Sequence, residues 1–320
     1  MTFDLRIHHI TFVMEAQTEV HMGPQAGAQI RGSLWQALNE HVCTAPSQSH
    51  NPDHALHCPK CFLLELQTNS PRGNNPPRPF AIRPPLGVRA EDDRIYPAGV
   101  QFSIGMTLMG KATALFPYLV NGMWQAGQHG VGYRRGQFTI TAIRNDDILR
   151  GKHENLLDGT NVFLPQTTIQ RRDILEMAAL LPTEHIRLRF LTTTTLKQHR
   201  KIIKYPEFKP LIGRLLERCQ ALAWHYGDTS GQQAIWKPIH DELTAKAEAV
   251  RRVQDNTRQV QFYSGSRRSN YSQTISGFVG EVLFEGDMSP FLEWLVWGQS
   301  IQVGKNTVKG NGWYEIVAES

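Results

Sequence analysis

Three thiols and three imidazoles crowd into one short stretch: Cys43, His50, His54, His57, Cys58 and Cys61. Cys58-Pro59-Lys60-Cys61 has the spacing of a zinc knuckle. A tetrahedral structural site needs Cys43 and one histidine to complete it, and His57 is the candidate. Reduced thiols packed under a loop account for the same residues equally well. A catalytic metal is less attractive here. Four such ligands leave no open position, and soft thiolates suit structure better than phosphodiester cleavage. Cys219 stands apart, so the four cysteines make no disulfide framework.

A second stretch of chemical interest runs from Gly304 to Tyr314, with Gly304, Lys305, Asn306, Lys309, Gly310 and Gly312 inside it. Glycines let a backbone approach a ligand, and their amides can point at phosphate oxygens. Two lysines add charge where phosphates would lie. No Lys-Ser/Thr follows the last glycine into a helix, so this is not a Walker loop. Further cations cluster at Arg187 and Arg189, at Lys197 to Lys201, and at Arg267-Arg268, which precede Tyr271 and Gln273. Charge mixed with an aromatic and amides suits a nucleotide loop. Any one of these patches is more often a solvated surface than a binding site. Together, with a formal net charge of +5, they favour nucleic acid over an acidic metabolite.

The elements that position these groups follow from hydrophobic periodicity. Alternation predicts strands at 5–14, 80–83, 100–108 and 136–143, and helical spacing predicts helices at 28–42 and 112–126. Strand, helix, strand, strand, helix, strand is the split βαβ plan. After a connecting region with a short helix near 174–181, the order recurs. Strands are expected at 186–195, 260–264, 273–284 and 313–317. Helices are expected at 208–226, 235–253 (an insertion) and 289–298. Glycines 127, 130, 132 and 136 in the first half echo glycines 298, 304, 310 and 312 in the second. The expected class is therefore α+β, with tandem ferredoxin-like (RRM-like) domains over 1–183 and 184–320 and a C-terminal glycine-rich loop. No run approaches the ~20 apolar residues of a membrane span, and Met1 to Arg6 lacks the pattern of a secretory signal, so a cytoplasmic protein is expected.

Several segments, in order, resemble a known family. They are Ile30-Arg31-Gly32-Ser33-Leu34-Trp35-Gln36-Ala37-Leu38 with the cysteines after it, Pro79-Phe80-Ala81-Ile82-Arg83-Pro84-Pro85, and Gly130-Val131-Gly132 with Arg135-Gly136. In the second half they are Arg268-Ser269 with Gln273, Gly277-Phe278-Val279-Gly280, and Val303 through Gly312. The set is similar to the CRISPR-associated precursor-RNA-processing endoribonucleases of the RAMP superfamily, the sixth Cas family, in its branch with cysteines after the first helix. The resemblance implies RNA held across the cleft between two ferredoxin-like domains and along the glycine-rich loop. It implies cleavage of the CRISPR repeat by general acid–base chemistry without a catalytic cofactor, zinc being structural if bound. Its partners would be precursor CRISPR RNA and CRISPR effector subunits, with no membrane.

The family places its histidine on or just after the first helix, which makes His41 the first candidate, His50 the second and His21 the third. A helix fixes direction better than a loop, which favours His41. Some relatives use a tyrosine on that helix; Trp35 stands near its place, and an indole is neither acid nor base. The alternatives are a non-catalytic RNA-binding subunit of the same superfamily and a zinc-stabilised protein-interaction module.

Overall fold

The protein is described by a computed structural model over residues 5–49, 51–67, 76–198, 201–227, 233–266 and 271–317. Strand β1 (Ile7–Ala16) alternates from Ile10 on, burying Ile10, Phe12, Met14 and Ala16. A short β2 (Val20–Met22) leads to α1 (Ala26–His41), whose Ile30, Leu34, Ala37 and Leu38 form one buried stripe. Helices α2 (Pro52–His57) and α3 (Pro59–Leu64) follow, each opened by a proline at its first position. Then come β3 (Phe80–Arg83), β4 (Arg94–Tyr96), β5 (Gln101–Met109), α4 (Phe116–His129), β6 (Phe138–Asp147) and β7 (Lys152–Asn155). Strands β3-β5-β1-β6-β7 form one antiparallel sheet, while β2 and β4 make a separate ribbon.

A small hairpin, β8 (Leu157–Asp158) with β9 (Asn161–Val162), and helix α5 (Arg171–Ala178) connect to the second half. There β10 (His185–Thr194), the ribbon β11 (Lys197–Gln198) with β12 (Lys201–Ile202), α6 (Phe208–Tyr226) and α7 (Gln233–Lys246) precede the hairpin of β13 (Arg251–Ser266) and β14 (Tyr271–Glu285). Helix α8 (Leu292–Ile301) and β15 (Tyr314–Ile316) close the chain. The sheet order is β13-β14-β10-β15, antiparallel throughout. Numbering each half's four core strands one to four, both sheets run two-three-one-four. The tandem ferredoxin-like plan is therefore present.

Two expected elements move. The helix predicted over 235–253 stops at Lys246, and Arg251 to Val253 begin β13 instead. Residues 251–256 are exposed, so this first part of the strand carries no apolar alternation and is held by its ladder to β14. The helix predicted from 112 begins as a 3-10 turn at Gly110–Leu115, and α4 starts at Phe116, where Pro117 needs no helical donor partner.

The halves interlock through the glycine-rich loop. A Cβ on Gly27 of α1 would lie 2.2 Å from the Lys309 carbonyl oxygen, so only glycine admits the loop this close. The buried Gln302 amide donates to the Ile82 carbonyl at 2.8 Å, and the Arg83 guanidinium lies 5.4 Å from the Trp313 ring centre.

His9, fully buried between β1 and β5, places Nδ1 2.9 Å from Thr107 Oγ1. Burial, then the nearby Arg83 and His8, push its pKa well below the ordinary 6.5. The unfolded chain gains this proton near pH 6.5 and the folded chain does not, so stability falls as pH drops below 6.5. Melting temperature should decline more steeply toward about pH 5 in the wild type than in His9→Asn, each proton contributing about 1.4 kcal/mol per pH unit. Equal slopes would show that His9 is not held neutral.

Candidate active site and metal centre

The buried stripe of α1 faces the sheet and turns Glu40 and His41 outward at its end. Helix α4 ends beside them at His129, where Gly130 takes a positive φ of 81° and stops the helix. The His41 and His129 rings stack, with centres 5.8 Å apart and planes 24° from parallel. Glu40 Oε2 lies 3.7 Å from His129 Nδ1. Ser33 donates to the Gly130 carbonyl at 3.2 Å and Arg135 to Gln36 at 3.4 Å, which fixes the 130–135 turn against α1. Arg134 and Arg135 are exposed on that turn. Arg134 lies 3.5 Å from Glu19, whereas Arg135 is tied to α1. Two accessible imidazoles and a carboxylate, with Arg135 on the adjoining turn, suffice for proton transfer at a phosphodiester.

His41 is thus placed as its position on the helix end requires. His129 joins this candidate site although local pattern does not single it out; its cue is a helix-final histidine just before Gly130-Val131-Gly132. His21 is tied elsewhere, with Nε2 2.6 Å from Asp93 Oδ2 and its ring edge-on to Tyr133. His50 lies outside the described residues.

The cysteine segment forms a compact cluster in which Cys43, His54, Cys58 and Cys61 bring their ligand atoms within 4.8 Å of one another. Cys43 Sγ is 3.5 Å from His54 Nε2 and 3.9 Å from Cys61 Sγ. A zinc tetrahedron with ~2.3 Å Zn–S and ~2.0 Å Zn–N bonds has edges of ~3.8 Å and ~3.5 Å, so the donor set fits. The histidine that joins the three thiols is His54 rather than the expected His57. His54 lies one helical turn before Cys58 on α2 and shares its face, whereas His57 is exposed and turns Nδ1 back to the Asp53 carbonyl at 2.8 Å. Burial and the adjacent Cys58 and Cys43 push the Cys61 thiol up to about 12, against the opposing pull of Lys60. Lys60 itself is buried, bonded to Glu65 at 2.6 Å and lying over the Trp35 ring, while Trp35 donates to the same carboxylate at 2.8 Å. That triad braces α3 on α1 beside the cluster.

The glycine-rich loop offers less backbone than expected. The Lys305 and Gly312 amides donate to the Thr195 and Thr193 carbonyls, and those of Lys309, Gly310 and Asn311 bond within the loop. A Cβ on Gly312, at φ 76°, would strike the Val303 carbonyl oxygen at 1.7 Å. The glycines therefore fold the loop tightly against β10, and phosphate contact falls to side chains. Lys305 is exposed at one end of the loop; Lys309, half-buried at the other, has its pKa lowered by burial and then by Arg31. Asn306 takes a left-handed φ of 62°, and Gly304 and Gly310 are likewise positive. On β10, Arg187 reaches Gln254 at 3.3 Å, while Arg189 is neutralised by Glu281 at 2.5 Å and Glu315 at 3.0 Å. Arg267, Arg268 and the side chain of Gln273 lie outside the described residues.

Two ferredoxin-like units of one strand order, joined by a lysine-bearing glycine-rich loop, define the class. The AF_1859_N N-terminal domain matches residues 5–169, and the CRISPR-associated endoribonuclease Cas6 family matches residues 188–314. The chain belongs to the CRISPR-associated Cas6 endoribonuclease family. Among solved structures it is similar to a Thermus thermophilus Cas6, at 14% identity over 98% of this chain and 99% of that one, with a TM-score of 0.56. A Cas6 product complex gives 14% identity over 97% and 99%, with a TM-score of 0.56. A Cas6-RT-Cas1–Cas2 complex gives 12% identity over 98% of this chain and 29% of that one, with a TM-score of 0.57. At these identities the likeness is one of fold. No curated protein matches the sequence. Among the described residues no helix is long and apolar enough to cross a membrane.

Proposed function

We propose that the protein cuts precursor CRISPR RNA within its repeats by metal-independent acid–base catalysis, with His41 and His129 as the proton-transfer pair. The single observation that carries this reading is the stacked pair of exposed His41 and half-buried His129 with Glu40 beside it, in a chain of an endoribonuclease family. One imidazole takes the proton of the ribose 2′-hydroxyl, whose oxygen attacks the adjacent phosphorus in line. The bond from phosphorus to the 5′-oxygen breaks, and the other imidazole protonates that oxygen. The products are a 2′,3′-cyclic phosphate and a free 5′-hydroxyl. Arg135 offsets charge building on the phosphate. The RNA lies along the outward side of α1, between its His41 end and the lysine-bearing loop docked at Gly27, roughly 20 Å away along the helix. In the cytoplasm the cut RNA then passes to CRISPR effector subunits.

The Cys43, His54, Cys58 and Cys61 set holds a structural zinc in this reading, with all four positions closed by protein. The Glu40, His41 and His129 donor atoms also lie within 4.8 Å of one another and could chelate a divalent cation. EDTA separates the two. Cleavage of repeat RNA should persist in EDTA and vanish when the ribose at the cut site is 2′-deoxy. EDTA-sensitive cutting would shift the mechanism to metal assistance, and binding without cutting would make the chain a non-catalytic subunit.

Lys305→Ala and Lys309→Ala should each weaken repeat binding and reduce the slope of log affinity against log salt by about 0.7–0.9. Unchanged affinity at low and high salt would remove the loop from the RNA path.

A further inference from the structure

Apart from Lys305, the cations on the far side of the glycine-rich loop have no role in the site above. Helices α6 and α7, the end of β10 and the Lys305 end of the loop enclose an open cleft of about 1510 Å³. Its lining carries Lys197, Arg214, Arg218, Lys237 and Lys305 against only Glu217 and Asp241, five cations to two acids. Glu217 pairs with Arg214 at 2.6 Å and Asp241 with Lys237 at 3.5 Å, which leaves an excess of three cations. Arg218 donates Nε to the Ile301 carbonyl at 3.0 Å, while its Nη2 is buried with no partner. Nε2 of His240, on the same wall, is in the same condition. Lys305 and Lys197 approach each other closely, and burial, then Lys197 and Arg214, lower the Lys305 pKa. Like charges forced together beside unpaired donors are the arrangement an anion relieves.

We infer that this cleft is a second RNA site, which takes a single-stranded segment flanking the cut through its phosphates. The volume exceeds the ~300–1,000 Å³ of small-ligand pockets, and the cleft is open rather than enclosed, which suits a polymer over a mononucleotide. It also continues the path already described. Lys309 faces α1 and Lys305 faces the cleft, and four residues of chain span at most ~14 Å, so a strand leaving α1 reaches the cleft along the loop.

The site rests on the RNA-processing reading for its biological use, but its test does not. A ~10-nucleotide oligouridylate lacks any repeat, so its binding by fluorescence anisotropy reads phosphate contacts without repeat recognition, and the cleft variants assign them to the cleft. The double variant Lys197→Glu with Lys237→Glu changes two side chains outside the His41 surface. It should lower affinity at least tenfold and reduce the salt slope by about 0.7 per phosphate lost. Lys197→Arg, which keeps the cation, should bind as wild type does, which separates charge from misfolding. Undiminished binding by the double variant would overturn the inference. So would failure of the wild type to bind the oligomer, or complete displacement of the oligomer by millimolar inorganic phosphate, which would mark a small-anion site. If the cleft fails while repeat RNA is still cut in EDTA, the proposed function stands without it.

Discussion

His41→Ala should lower the single-turnover rate of repeat cleavage by about 10²–10⁴-fold, the usual contribution of a positioned acid or base, and leave repeat affinity nearly unchanged. Exposure at the end of α1 makes the residue dispensable for the core, since the helix's buried contacts run through Ile30, Leu34, Ala37 and Leu38. His129→Ala should produce a loss of the same order, and the two variants should be far from additive, because one imidazole without the other leaves a proton transfer unserved. Glu40→Gln keeps the shape beside His129 but removes the charge. It acts only through His129 and should cost less than either histidine. Single-turnover rates measured with saturating protein separate this from product release. His41→Ala and His129→Ala cutting at the wild-type rate would remove the pair from the chemistry, and the Asp93-held His21 would become the group to test next.

What the sequence made legible, and what it did not, divides along a physical line. The two split βαβ halves were readable because their core strands are half-buried, as in the Ile10, Phe12, Met14 alternation, and their helices bury one stripe. β13 was not fully readable because its exposed first half is held by pairing to β14, a long-range contact with no local trace. His54 could displace His57 only once residues 52–57 were known to be a helix. Read as a loop, the segment gives the three histidines no shared face with Cys58. The pairing of His129 with His41 is set by how the ends of α1 and α4 meet, which no spacing encodes. The loop lysines were visible as charge, but the loop amides go to Thr193 and Thr195, and only the register against β10 reveals that.

The same contrast sets the largest expected effect on stability. Helices α2 and α3 have six residues each, too short to persist alone in water, so the 43–64 segment needs an external tie. Cys43, Cys58 and Cys61 are buried in a core cluster shared with Phe208 and Tyr226 of the second half, so the tie also bears on how the halves pack. Protein purified with zinc present should carry about one zinc per chain. Cys61→Ser should lose it and lower the melting temperature by on the order of 10 °C, matching a loss of a few kcal/mol in a chain of this size. A chelator should do the same to the wild type, and more readily as pH falls, because protons compete with metal for the thiolates and the imidazole. The ligand assignment has its own control: His54→Ala should lose zinc, and His57→Ala should keep it. Below its melting transition Cys61→Ser should still cut repeat RNA, as the wild type does in EDTA, because the zinc holds the segment and takes no part in the chemistry. Wild-type protein that takes up no zinc, with a melting temperature indifferent to both chelator and Cys61→Ser, would reduce the cluster to packed thiols, and the Lys60–Glu65–Trp35 triad would then have to hold the segment alone.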